Sequence, residues 1–200
     1  MALIFAVLGS KDSGKTATAE FLIGELAKEG LRIGAIKHIH DPNFSIDTPG
    51  KDTFKFAKAG AKVTTSVADD EIAILEKING FSGIHLQEIL DLYSKKKLEV
   101  IFIEGLSWLM ADKKDIYKIV TAKEPEDLAR TLRAITPPII AVTGLIAGKK
   151  FELRSINLPV INVRTEGETL LDLVKGVLEK ELPKKSVGKI STANTSCAKI

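Results

Sequence analysis

Near the start of the chain, Gly-Ser-Lys-Asp-Ser-Gly-Lys-Thr runs from Gly9 to Thr16, with residue types and spacing suited to phosphate chemistry. The stretch fits G-x-x-x-x-G-K-[ST]. Glycines in such a loop let backbone N–H groups converge on an anion at a helix N-terminus, where the aligned peptide dipoles favour negative charge. Lys15 would reach the terminal phosphates and Thr16 would offer its hydroxyl to Mg2+, so the motif points to a nucleoside triphosphate. Gly9, Ser10, Lys11, Asp12, Ser13, Gly14 and Ala17 are the expected wrapping residues. The bland alternative is a chance match in a glycine-rich turn. The apolar run before the loop (Leu3 to Leu8) and the helical pattern after it argue against that. The motif leaves the base and the reaction open.

Two carboxylates could serve the same ligand. Glu104 ends the apolar run "VIFIE", and ligands of open α/β sheets lie beyond the carboxyl ends of the strands. There a carboxylate can hold Mg2+ or orient an attacking water. Asp47 opens "DTPG", the D-x-x-G form of nucleotide switches, in which the Asp engages Mg2+ through water and the Gly50 N–H reads the γ-phosphate. Taken alone this form is weak, because Asp, Pro and Gly populate any loop. Lys37, His38 and His40 stand at the end of another apolar run, and two histidines without further ligands do not make a metal site. Lys51 and Lys55 follow on the next helix, facing either an anion or solvent.

The elements that must position these groups alternate between strand-like and helix-like patterns. This predicts an α/β fold of three layers, α/β/α, with a mostly parallel sheet. Helices are expected over 15–29, 51–60, 84–96, 125–134 and 167–181, and strands at 3–8, 31–37, 98–105, 116–122, 139–144 and 158–163. "KVTTSV" and "IAILEKI", separated by "ADDE", read as an antiparallel hairpin at one sheet edge. Residues 1–182 form the one expected nucleotide-binding domain, and 183–200 a basic, disordered tail. Trp108 and Met110 read as core residues, with an exposed patch for a partner or a dimer mate as the alternative.

Charge excludes one class of function. The tail holds Lys184, Lys185, Lys189 and Lys199 and no acid, a local +4 against a total of +3, which leaves the body at −1. The basic balance is not a folded nucleic-acid face. No apolar run reaches the roughly 18 residues of a membrane span. The lone Cys197 excludes an intrachain disulfide and suits a reducing cytoplasm.

"GSKDSGKT", "KHIH", "IDTPGKDTFKFAKAGA" and "VIFIEGL", in this order, resemble the molybdopterin-guanine dinucleotide biosynthesis protein B (MobB) family. The likeness covers about Leu3 to Leu106 well and the remainder through its strand–helix order. It implies a dimeric, weakly hydrolysing GTP-binding protein that assists the guanylyltransferase joining GMP to the molybdenum–pterin cofactor. It also implies that Gly9 to Thr16 cradle GTP. Lys15, Asp47 and Glu104 would act at the γ-phosphate, Thr16 joining the two acids around Mg2+, and Lys37, His38 and Lys51 would line the cleft. The strand ending at Thr143–Gly144 has no N-K-x-D aspartate to read guanine, and no arginine lies in the motif regions. Two further classes remain open: a P-loop small-molecule kinase or ligase, and a metallochaperone-type GTPase.

Overall fold

The structure is a computed structural model and describes residues 2–41, 44–149 and 157–182. The expected tail from Pro183 onward lies outside the described residues. Strand β1 (Leu3–Gly9) leads into α1 (Lys15–Lys28), then β2 (Ile33–Lys37) and the short α2 (Asp52–Lys58). A hairpin follows, β3 (Val63–Val67) and β4 (Ile72–Glu76), then α3 (Gly83–Ser94) and β5 (Val100–Glu104). The order ends with α4 (Ser107–Met110), β6 (Tyr117–Thr121), α5 (Pro125–Arg133), β7 (Ile139–Thr143), a 3-10 turn (Leu145–Gly148) and α6 (Val163–Glu181).

Five strands form one parallel sheet in the order β2-β5-β1-β6-β7, as the apolar runs predict for strands covered on both faces. Successive side chains of a strand point to opposite faces, and β1 divides accordingly. Phe5 and Val7 join one core with Leu22 and Leu26 of α1 and Leu170 and Val174 of α6. Ala6 and Leu8 join the other, with Leu86 of α3, Met110 of α4 and Leu128 of α5. Full burial of each large apolar side chain contributes about 1.5–3 kcal/mol, so the two cores hold α1 and α6 on one face of the sheet and α3, α4 and α5 on the other.

Several elements differ from the sequence expectation. The hairpin forms, but as a separate two-stranded sheet, with α2 packed on β3. The stretch 158–163 contributes only an isolated bridge, Val142 to Val160. Val142 N–H donates to Pro159 O and Ile161 N–H to Val142 O, while Pro159 has no N–H with which to extend the ladder. Helix α6 begins earlier than expected because the Asn162 side chain accepts from Arg164 N–H, and the helix is broken once at Glu166. Trp108 is 58% exposed while Met110 is 1% exposed, so one turn of α4 sends one residue to solvent and the other to the core.

Candidate functional site

The loop between β1 and α1 is held from three sides. Gly9 lies so close to β6 that a Cβ there would meet Thr121 O at 2.1 Å. Ser13, fully buried, donates to Ser10 O at 2.8 Å and shares a 2.6 Å hydrogen bond with the Thr121 hydroxyl. Across the loop, Gly144 at φ +95° passes the backbone of Ser13, where a Cβ would come within 2.2 Å of Ser13 O. From α5, Asp127 accepts from the Ser10 hydroxyl at 2.6 Å, from Lys123 N–H at 3.1 Å and from Arg130 at 2.6 Å. Burial opposes the Asp127 charge, but these hydrogen bonds and the Arg130 cation prevail and hold its pKa below the usual value.

Sequence reasoning missed Asp127. The signal was present, an acid two residues after a helix-starting proline, but it reads as ordinary N-terminal charge until its partner in the loop is known.

Lys15 Nζ donates to the carbonyls of Gly9 (3.2 Å) and Ser10 (2.5 Å), folded onto its own loop. Burial pushes its pKa down; Glu104 pulls against that and Lys37 reinforces it. Parallel pairing of β2 with β5 sets Lys37 beside Glu104. Glu104 Oε1 accepts from Lys37 Nζ at 2.7 Å and from the Thr16 hydroxyl at 3.0 Å, and Lys37 also donates to Thr16 Oγ1 at 3.0 Å. Thr16 and Glu104 offer a hydroxyl and a carboxylate side by side, the hard oxygen donors that Mg2+ prefers.

These groups line one cavity of about 850 Å³, with Lys11, Asp12, Gly14 and Ala17 on one side and His38 on another. His38 and His40 meet edge to face at 4.3 Å between ring centroids. Burial, and then the neighbouring His40, lower the His38 pKa, which favours neutral imidazole. Among the described residues no group of three His, Cys, Asp or Glu side chains could hold a metal ion. No arginine lines this cavity among the described residues. A second cavity, about 240 Å³, opens between Gly14, Thr18, Thr143 and Asn162. Thr143 is fully buried there, and among the described residues its Oγ1 has no hydrogen-bond partner.

The structure does not bring Asp47, Gly50 or Lys51 into the lining of the large cavity. Asp47 accepts from the Thr53 hydroxyl at 3.0 Å and lines a different cavity against the hairpin. Gly50 (φ +100°) and Lys51 form the turn into α2, so the D-x-x-G stretch here starts a helix.

The sequence model of the family described as "Molybdopterin guanine dinucleotide synthesis protein B" matches residues 4–142. A molybdopterin-guanine dinucleotide biosynthesis adapter protein of Escherichia coli is 30% identical over 116 residues, 58% of this chain and 66% of its own. A Bacillus subtilis protein described as a probable adapter of the same name is 31% identical over 141 residues, 70% of this chain and 74% of its own. The chain therefore spans about two thirds of the first relative and three quarters of the second. Among solved structures, Bacillus subtilis MobB superposes with a TM-score of 0.67 at 25% identity, covering 87% of this chain and 96% of that one. Among the described residues no helix is long and apolar enough to cross a membrane.

Proposed function

This chain belongs to the molybdopterin guanine dinucleotide synthesis protein B family, and from that premise we propose that it is a cytoplasmic, homodimeric adapter that binds GTP with Mg2+ and hydrolyses it slowly. The observation that carries the reading is the convergence of Lys15, Thr16, Lys37 and Glu104 on one cavity at the carboxyl ends of β1, β2 and β5. Its volume of about 850 Å³ lies within the usual range of ligand sites. Phosphates entering the loop would compete with the Gly9 and Ser10 carbonyls for the Lys15 ammonium. Thr16 and Glu104 would hold Mg2+, which neutralises phosphate charge when bound, and Lys37 would turn to the phosphates as it yields its place. The 240 Å³ cavity is the base pocket of this proposal, with the Thr143 hydroxyl, unpartnered among the described residues, and the Asn162 amide among its polar groups beside Thr18 and Arg164. A cavity without arginine among the described residues supports slow turnover, since Lys11, Lys15 and Lys37 are then the cations left to meet charge developing on the transferring phosphate.

The proposed partners are the guanylyltransferase that joins GMP to the molybdenum–pterin cofactor, the cofactor itself, and a second copy of the chain. For the last, the hairpin presents an outward face of Val63, Val67, Ile72 and Ile74, each at least half exposed. An isolated two-stranded sheet is marginal in water, and a mate covering this face would stabilise it. Calorimetry with GTP and with ATP, each with Mg2+, tests the central claim. GTP should bind more tightly, and Lys15→Ala should abolish binding. Equal or tighter ATP binding overturns the guanine assignment.

A further inference from the structure

A third cavity, about 370 Å³, flanks the other end of the glycine-rich loop, and nothing in the nucleotide reading uses it. It touches the loop only at Gly9 and Ser10, whereas the proposed base pocket begins at Gly14. Its apolar floor is Ala111, Ala134 and Ile135, and Trp108 and Arg130 stand at its rim. Trp108 is the only tryptophan of the chain and is 58% exposed. Its exposure is imposed by the backbone. Leu106, 2% exposed, enters α4 at φ +54°, an unfavourable region for a bulky residue, and Met110 is buried below. Leu106 and Met110 therefore pin α4 and leave the indole outward at the cavity rim. Arg130 donates to the buried Asp127 at 2.6 Å, and among the described residues its remaining N–H groups have no other partner and face solvent, where they can meet an anion. An aromatic rim, an apolar floor and one exposed guanidinium, itself paired with the Asp127 carboxylate that also lines the cavity, suit a flat heterocycle whose anionic substituent meets the outward N–H groups of Arg130.

We propose that this third cavity binds the pterin, stacked on the Trp108 indole with its anionic side chain toward Arg130. The inference rests on the adapter reading, because the product named for the family joins a pterin to a guanine nucleotide. It places the two halves of that product on either side of one loop. Asp127 links them, accepting from Ser10 of the loop and from Arg130 at the rim.

The test titrates full-length, nucleotide-free protein with pterin-6-carboxylate and with the uncharged 6-hydroxymethylpterin. Quenching of Trp108 emission and the anisotropy of the pterin's own fluorescence are the two readouts. Both compounds should bind saturably. Trp108→Ala should weaken both by about tenfold, the scale of ring stacking on an aromatic side chain. Arg130→Gln should weaken the carboxylate about fivefold and leave the uncharged pterin within twofold, as expected for one charged contact at a solvated rim. Both positions are exposed, and near-wild-type melting will confirm that the variants fold. Absent binding, binding unchanged in Trp108→Ala, or displacement of the pterin by GTP each overturn the proposal. GTP binding measured separately distinguishes the failures: with GTP bound and no pterin, only this cavity falls, whereas pterin bound without GTP sinks the nucleotide reading.

Discussion

Replacing Asp127 by Ala should loosen the glycine-rich loop and destabilise the fold together. The carboxylate is 2% exposed and accepts from the Ser10 hydroxyl at 2.6 Å and from Lys123 N–H at 3.1 Å. Hydrogen bonds to a charged acceptor contribute about 1.5–3 kcal/mol each. Removing the carboxylate also removes its own desolvation cost, which offsets about a third of that sum. The Arg130 pair adds at most about 1 kcal/mol, since the guanidinium side chain is 73% exposed. The expected net loss is about 2–4 kcal/mol, or roughly 5–15 °C in Tm for a chain of this size. GTP affinity should fall with it, because Ser10 then moves freely.

The pH dependence carries a sign. The pKa of Asp127 is lowered by folding, so its contribution is present above the ordinary carboxylate value near pH 4 and is lost as pH falls through the lowered one. Urea unfolding at pH 7 and between pH 5 and 2.5, for wild type, Asp127→Ala and the isosteric Asp127→Asn, measures both. The wild type should lose its advantage over Asp127→Asn in that acid window. If Asp127→Ala unfolds within about 0.5 kcal/mol of wild type and binds GTP equally well, α5 does not hold the loop.

Glu104→Gln should reduce the Mg2+ dependence of GTP binding while leaving Mg2+-free nucleotide affinity little changed or slightly improved, as read by calorimetry with and without chelator. Thr143→Val should leave the melting temperature unchanged, because no described residue bonds its hydroxyl, yet weaken GTP about three- to tenfold and narrow the gap to ATP. Lys118 is fully buried in β6, donating to the carbonyls of Lys113 and Ile116, and burial lowers its pKa despite Asp115 and Asp112. The folded form therefore binds fewer protons than the unfolded one below the ordinary lysine value. Wild type should gain stability relative to Lys118→Met as pH rises toward about 10.5, and parallel alkaline profiles refute this.

Much of the architecture is legible from local pattern. Apolar runs such as Val100 to Ile103 and Phe5 to Leu8, rich in β-branched and aromatic residues, read as strands covered on both faces, and the glycine–lysine spacing of Gly9 to Thr16 places a strand before the loop and a helix after it. Lys15, Thr16 and Glu104 could be paired in advance because strand ends of such a sheet share one edge.

Pairings decided by distance along the chain were not legible. Asp127 reaches Ser10 across 117 residues, and Lys37 reaches Thr16 and Glu104 only through the register of β2 on β5. Asp47 and Trp108 show the converse. The D-x-x-G form suited a switch, but a local hydroxyl, Thr53, satisfies its acid. Trp108 is apolar by type, yet the left-handed turn at Leu106 sets it outside. Residue type and spacing act within a turn or a strand, where the backbone has few choices; which side chain meets which across the sheet depends on strand order and register, and these exist only once the two cores have packed.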